Sequence, residues 1–382
     1  MNPDYNAFPS EEVLREKLFT KLKTEISRVG SMLPSIAVQG HYRDCMFPGG
    51  VAWWTNGFWP GILWQLYQTC LDETIKQYAV SSGHRIAEAL QNPESLDHDV
   101  GFLFLPSAGA EYLITGAEEA RETLLSAAEI LAGRFREKGQ YLEAWNEGSN
   151  GITNNGNCLI ADSMMNISLL YRATEITGDQ KYKETADKHA HTTLKYIVRE
   201  EGSANHIVRI SPEDGMPFDI PAGQGYAPGS SWTRGQGWVL YGFANAYMHT
   251  GSHEYLEASR RSADYILAEL EKTDYLPKVD FRAPLDDGRY DTIGGMVIAS
   301  GLLTLASCCE KTDQEKYEAA ARKLLFAVTD KFADWNTETD GILYGCSTRY
   351  HNDRMDNLPN VYADYFYLEA VLKLRKEELK IW

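Results

Sequence analysis

The chain has 382 residues and a formal net charge of −17, a balance that repels phosphate backbones and argues against nucleic-acid binding. Hydrophobic residues make up 43% and charged residues 24%, with 22 Tyr, 13 Phe and 9 Trp, which excludes a disordered chain. No run of about 18 apolar residues occurs, so no membrane span is expected, and six Cys without CxxC spacing read as reduced thiols.

The N-terminus, MNPDYNAFPSEEVLREKLFTKLK, has no apolar stretch after a basic start. No secretory leader is expected, and the chain reads as cytoplasmic. From there two kinds of helix alternate. Segments 11–33, 76–91, 118–136, 180–198, 253–271 and 313–332 carry one apolar stripe with charge elsewhere, the mark of a helix with one face in water. In 253–271 the stripe is Tyr255, Ser259, Ala263, Ile266 and Leu270. Segments 55–70, 101–115, 158–177, 232–250, 293–309 and 360–376 are apolar nearly all round and should be buried on both sides. The joints repeat as well: TGAEEA, TGDQKY, TGSHEY and KTDQEKY each end one helix and open the next, with Gly supplying a left-handed cap and Asp or Ser capping the second helix. Strand signals are sparse, HIVRIS (His206 to Ser211) being the clearest.

Six helices of each kind in alternation are what an all-α (α/α)6 barrel requires, six inner and six outer, with 1–382 as one domain. In such a barrel the inner helices run parallel, so their N-termini meet at one mouth. The residues brought there would be Trp53, Trp54 and Trp59; His98 and Asp99; Asp162; Trp232, Arg234, Gln236 and Trp238; Asp291; and Asp364 with Tyr365. Aromatics, carboxylates, a His and an Arg at one opening suit a carbohydrate cleft. No metal cluster or Gly-rich phosphate loop stands out, so neither metal nor cofactor is expected.

Five segments carry a family resemblance: WWTNGFWPGILWQLY from Trp53, HDVGFLF from His98, ADSMMNISLLY from Ala161, QGYAPGSSWTRGQGWVLYGFANAY from Gln224 and YADYFYLEAVLK from Tyr362. In this order they resemble the unsaturated glucuronyl hydrolases of glycoside hydrolase family 88, over about residues 40 to 376. The resemblance implies action on the Δ4,5-unsaturated uronic acid at the non-reducing end of lyase-made oligosaccharides. By that resemblance Asp162 matches the general acid/base and Asp99 the second essential carboxylate. The implied reaction is hydration of that sugar's vinyl ether double bond, and a carboxyl group suits both halves of it, giving a proton and then taking one from water. The other reading of either Asp is a simple helix cap. His98 and His206 match histidines lining the family's site, and Gln224 and Arg234 match contacts to the unsaturated sugar and its carboxylate. Paired donors on Arg fit a planar carboxylate; the alternative for Arg234 is an ion pair with a nearby acid. Trp54, Trp232 and Trp238 are placed at the substrate, with Trp54 and Trp232 the leading stacking candidates.

The chain departs from the family in two places. Ala227, Pro228 and Gly229 stand where members often carry an acidic pair. YGCSTRYHNDR (Tyr344 to Arg354) stands near the Ser- and Lys-containing segment of members that prefer sulfated substrates. The nearest rival is an unsaturated rhamnogalacturonyl hydrolase acting on pectin fragments, and outside enzymes, a non-catalytic sugar-binding barrel. The expected partner is an unsaturated uronyl oligosaccharide, with no nucleic acid and no membrane.

Overall fold

A computed structural model of the chain describes residues 10–148, 156–351 and 353–382. The first nine residues of the N-terminal stretch, and Asn352 within YGCSTRYHNDR, lie outside the described residues. The outer helices are α1 (Glu11–Val29), α3 (Glu73–Ala87), α6 (Glu118–Gly133), α9 (Gln180–Tyr196), α11 (His253–Glu271) and α13 (Lys311–Phe332). The inner ones are α2 (Phe58–Cys70), α4 (Val100–Phe104) continued by α5 (Ala110–Thr115), α7 (Ser163–Asn166) continued by α8 (Ser168–Thr177), α10 (Thr233–Thr250), α12 (Thr292–Ser307) and α14 (Val361–Arg375). Inner neighbours pack in a ring, α4 on α7, then α10, α12, α14 and back to α2, and α1 covers α14 to close the outer layer. The protein is an (α/α)6 barrel.

The sequence explains each layer. In α12, TIGGMVIASGLLTLAS is buried from Thr292 through Ala306, because both of its sides meet other helices. In α11 burial follows one stripe, Tyr255, Ser259, Ala263, Ile266 and Leu270 among others. The Thr-Gly joints work as caps: Gly178 (φ 78°) and Gly251 (φ 69°) take the left-handed conformation that ends α8 and α10. Asp179 then caps α9 by accepting the Lys181 N–H at 3.0 Å.

The structure corrects two expected inner helices. Residues 101–115 form no continuous α-helix, because Leu105–Gly109 widen into a π-helical turn between α4 and α5. Pro106 has no N–H for the ladder, and the Ser107 hydroxyl takes up the Leu103 carbonyl at 2.7 Å. After a hairpin of two-residue strands, β1 (Phe135–Arg136) and β2 (Tyr141–Leu142), the inner helix expected over 158–177 opens as strand β3 (Cys158–Ile160). It pairs antiparallel with β4 (Ile207–Ile210), which pairs with β5 (Pro217–Asp219). A short apolar run such as CLI carries no periodicity that tells strand from buried helix; the partner strand decides.

The barrel closes through a buried acidic cluster. Asp364 in α14 accepts the Tyr42 hydroxyl at 3.0 Å and the N–H groups of Ile342 and Leu343. Glu25 in α1 accepts the Gly341 N–H at 2.8 Å. Burial pushes Asp364 up to about 7. Burial, reinforced by Asp364, also holds Glu25 well above the usual carboxylate range. An unfolded aspartate releases its proton near 3.8, whereas folded Asp364 keeps it to about 7. The native state therefore binds more protons across that window, and this group's contribution to stability falls as pH rises through it. Melting temperature should thus decline between about pH 4 and pH 7 more steeply in wild type than in Asp364→Asn, as thermal unfolding at a series of pH values will read.

Candidate active site

Strand pairing sets the first contact of the site. Ile160 lies opposite Ile207, and the Ala161 N–H donates to the His206 carbonyl at 3.0 Å. Asp162 follows at the end of β3 and His206 precedes β4, so the ladder brings them side by side, His206 Nε2 3.5 Å from Asp162 Oδ2. The backbone N–H of Gln224 donates to His206 Nδ1 at 3.1 Å. That contact makes Nδ1 an acceptor and leaves the ring N–H on Nε2, facing the carboxyl. The His206 ring lies 4.3 Å from that of Trp232, immediately before α10. Asp162 Oδ2, His206 Nε2 and Trp232 Nε1 are buried and make no hydrogen bond within the protein. Buried polar atoms are almost always paired, so three adjacent orphans mark this corner as a ligand site.

The second carboxyl stands at the start of α4. Asp99 Oδ1 accepts from the Asn166 side-chain amide at 3.2 Å and lies 3.5 Å from His98 Nε2. His98 Nδ1 meets the Ser163 hydroxyl at 3.0 Å, and its ring faces Trp145 at 6.0 Å. Burial lowers His98 to about 3, against the pull of Asp162, so it is a neutral hydrogen-bonding group throughout the working range. Burial, then Asp97 and Asp162, push Asp99 well above the ordinary carboxylate value, while the Asn166 amide opposes them. Asp97, His98 and Asp99 also offer three ligand atoms within 4.8 Å of one another. Their turn accounts for that closeness, since Asp97 Oδ1 accepts the Asp99 N–H at 2.9 Å.

Aromatic rings and one cation complete the rim. Trp54, half-buried, contacts Phe102 at 5.6 Å and Tyr362 at 4.9 Å. Arg234, 2% exposed, lies over Trp232 at 4.5 Å and over Tyr362 at 5.4 Å. It donates to Asp291 at 3.2 Å and to the carbonyls of Ser347 and Thr348 at 3.1 and 3.0 Å. The acid partner weighed for Arg234 is present, and the guanidinium also ties the loop after Cys346 to the mouth.

Of the residues singled out by sequence, Trp54, His98, Asp99, Asp162, His206, Trp232 and Arg234 form one chain of contacts, linked through Tyr362 and Asn166. Gln224 joins through its backbone. Trp238 does not join it: at 1% exposed it packs on Phe102 and Phe366 beneath the mouth. Trp59 is core, its Nε1 donating to the Gly30 carbonyl, and Gln236 serves Ala204 and Gly202. Asp364 belongs to the closing cluster. Sequence reasoning passed over Asn166, Tyr362 and Trp145. The spacing of Asn166, four residues after Asp162 on a helix, was a usable signal; Trp145 lies in a loop without periodicity. A cavity of about 700 Å3 lies at the other end of the barrel, lined by Tyr241, Thr304, Glu369, Lys373 and Trp382 among others, away from this constellation.

The profile of Glycosyl Hydrolase Family 88 matches residues 37–272. The chain belongs to glycoside hydrolase family 88. The family 88 chain is 34% identical over 334 residues to the unsaturated glucuronyl hydrolase of Bacillus sp. strain GL1, covering 86% of this chain and 88% of that one. It is 32% identical over 336 residues to the unsaturated chondroitin disaccharide hydrolase of Streptococcus pneumoniae R6, covering 86% and 83%. Its fold superposes with a TM-score of 0.86 on a solved unsaturated glucuronyl hydrolase from Bacillus sp. GL1, described as responsible for the degradation of glycosaminoglycan. That match has 30% identity and covers 95% and 97% of the two chains. As a family 88 member the protein is a glycoside hydrolase.

The Arg234–Asp291 pair yields a measurable consequence. Asp291 is fully buried, so Asp291→Ala leaves a buried guanidinium without its counter-charge. Denaturant unfolding should show a loss of about 3–5 kcal/mol, against a smaller loss in Asp291→Asn, which keeps a hydrogen-bonding oxygen.

Proposed function

We infer that this family 88 enzyme releases Δ4,5-unsaturated uronic acid from the non-reducing end of oligosaccharides made by polysaccharide lyases, such as glycosaminoglycan fragments. The observation that carries the reading is the juxtaposition of Asp162 with the orphaned donors His206 Nε2 and Trp232 Nε1. Relatives named for unsaturated glucuronyl and unsaturated chondroitin disaccharide substrates support it.

The chemistry needs one proton delivered and one taken back. Asp162, as the acid, protonates C4 of the vinyl ether, and positive charge develops at C5 and the ring oxygen. Water adds to C5 and gives its proton to the Asp162 carboxylate, restoring the acid. The hemiketal then opens and frees the remaining sugar. One carboxyl thus serves both steps, and Asp99, within electrostatic reach of Asp162, stabilises the charge and holds a substrate hydroxyl. The unpaired N–H groups of His206 and Trp232 are placed to meet sugar oxygens, and half-buried Trp54 supplies a face for C–H stacking, whereas the Trp232 ring, 2% exposed, is taken by His206 and Arg234. Arg234 contributes positive charge to a molecule whose net charge is −17, although Asp291 takes part of its field.

The same reading takes 1–382 as one catalytic domain, supported by a continuous apolar core from Leu14 to Trp382. It places the enzyme in the cytoplasm, supported by six free cysteines. Among the described residues no helix is long and apolar enough to cross a membrane.

Hydration destroys the conjugated double bond, so ultraviolet absorbance reports the reaction directly. Wild type should bleach at least one member of a panel of lyase-derived disaccharides, and Asp162→Asn should be slower by about 10²–10⁴-fold with its fold intact. Unchanged absorbance across the panel, or a near-normal rate in Asp162→Asn, would overturn the assignment.

A further inference from the structure

Asn166 is fully buried on α7, one helical turn beyond Asp162. Its side-chain Nδ2 donates to Asp99 Oδ1 at 3.2 Å and to the Asp162 carbonyl at 3.3 Å. Its Oδ1 accepts the N–H of Phe102, in the first turn of α4, at 2.8 Å. A single neutral side chain therefore joins the first turns of two inner helices, and one of its bonds falls on a carboxyl oxygen of the site itself.

The surrounding backbone has no slack at this joint. A Cβ on Gly101 would stand 2.5 Å from Asn166 Oδ1 and 2.6 Å from its Cα, closer than any side chain tolerates. Glycine at 101 lets α4 approach α7 until the amide spans both. Among side chains of this size only an amide can donate to a carboxylate and accept from a backbone N–H without adding charge. Leu would leave the Phe102 N–H unsatisfied in the core, at the cost such groups carry. An acid would set a fourth carboxyl beside Asp97, Asp99 and Asp162.

We propose that Asn166 is a positioning residue for the reaction: it fixes the Asp99 carboxyl through Oδ1, leaves Oδ2 clear of that bond, and holds Asp99 in register with Asp162. The inference rests on the assignment of Asp162 and Asp99 as the reacting pair. The groups that bear on Asp99 are Asp97 and His98 from its own turn, Asp162 across the joint, and Arg134 from the end of α6. Asp97, Asp162 and burial favour neutral Asp99, whereas Arg134 and the Asn166 amide favour the ionised form.

Removing the amide therefore has a signature that loss of packing alone does not share. In Asn166→Ala, kcat on the bleached disaccharide should fall about ten- to hundred-fold, the scale of a misplaced reacting group, with KM within about two-fold. The limb of the pH profile of kcat/KM governed by Asp99 should move upward by about one unit, because a bond that favours its ionised form is gone. Asn166→Asp keeps the size and replaces the donor with a like charge, so it should move the limb the same way even if the Ala variant folds poorly. A wild-type limb in both variants, or an effect confined to KM, overturns the proposal while the wild-type reaction stands. If wild type bleaches no substrate, the functional reading fails and takes this inference with it.

Discussion

A short antiparallel ladder, Cys158–Ile160 against Ile207–Ile210, sets the place of the Asp162 carboxyl. Its register is fixed by burial: Leu159 and Val208 lie in the main core, Cys158, Ile160 and Ile207 in a smaller cluster with Ala144. Slipping the pairing by one residue would turn these side chains to the wrong faces. Because Asp162 follows β3 after the single residue Ala161, and β4 begins directly after His206, the same register sets the distance between imidazole and carboxyl. Gln224 then fixes the imidazole proton and Trp232 covers its face. Each later feature of the corner depends on that pairing.

The helices supply the other half of the constraint. Parallel inner helices deliver Asp99, Asp162, Trp232 and Asp291 to one end, and Asn166 ties the first two together. The cost appears as buried charge. Arg234 and Asp291 are held in a region where either alone would be strongly unfavourable. Burial leaves His98 neutral and pushes Asp99 toward its protonated form. A mouth built this way offers the anionic sugar proposed for it individually placed donors, since the protein's overall field is negative and screened at a distance.

Much of this was legible in the residues, and the failures have identifiable physics. The alternation of two-sided and one-sided helices followed from apolar periodicity, and the Thr-Gly joints from cap chemistry. The place of His98, Asp99 and Asp162 at the mouth followed from that alternation, but their roles, and His206 altogether, came from the family motifs, since a capping Asp and an acid/base Asp have the same sequence surroundings. Trp238 shows the limit for aromatics. It lies one turn beyond Arg234 on the same helix, and a ring that packs tilted against Phe102 in the core is written like one that stacks on a sugar.

The residues in order were enough for the alternation of two kinds of helix, the end of the barrel that collects polar groups, and the family motifs, because each is carried by neighbours within a few turns. That 158–160 is a strand, that Arg234 is committed to Asp291 and two carbonyls, that Asp364 closes the barrel, and that Asn166 reaches Asp99 emerged with the packed fold. Those contacts join residues up to 322 positions apart, as between Tyr42 and Asp364. Pairings of that length depend on how closely packed elements approach, which local sequence does not encode.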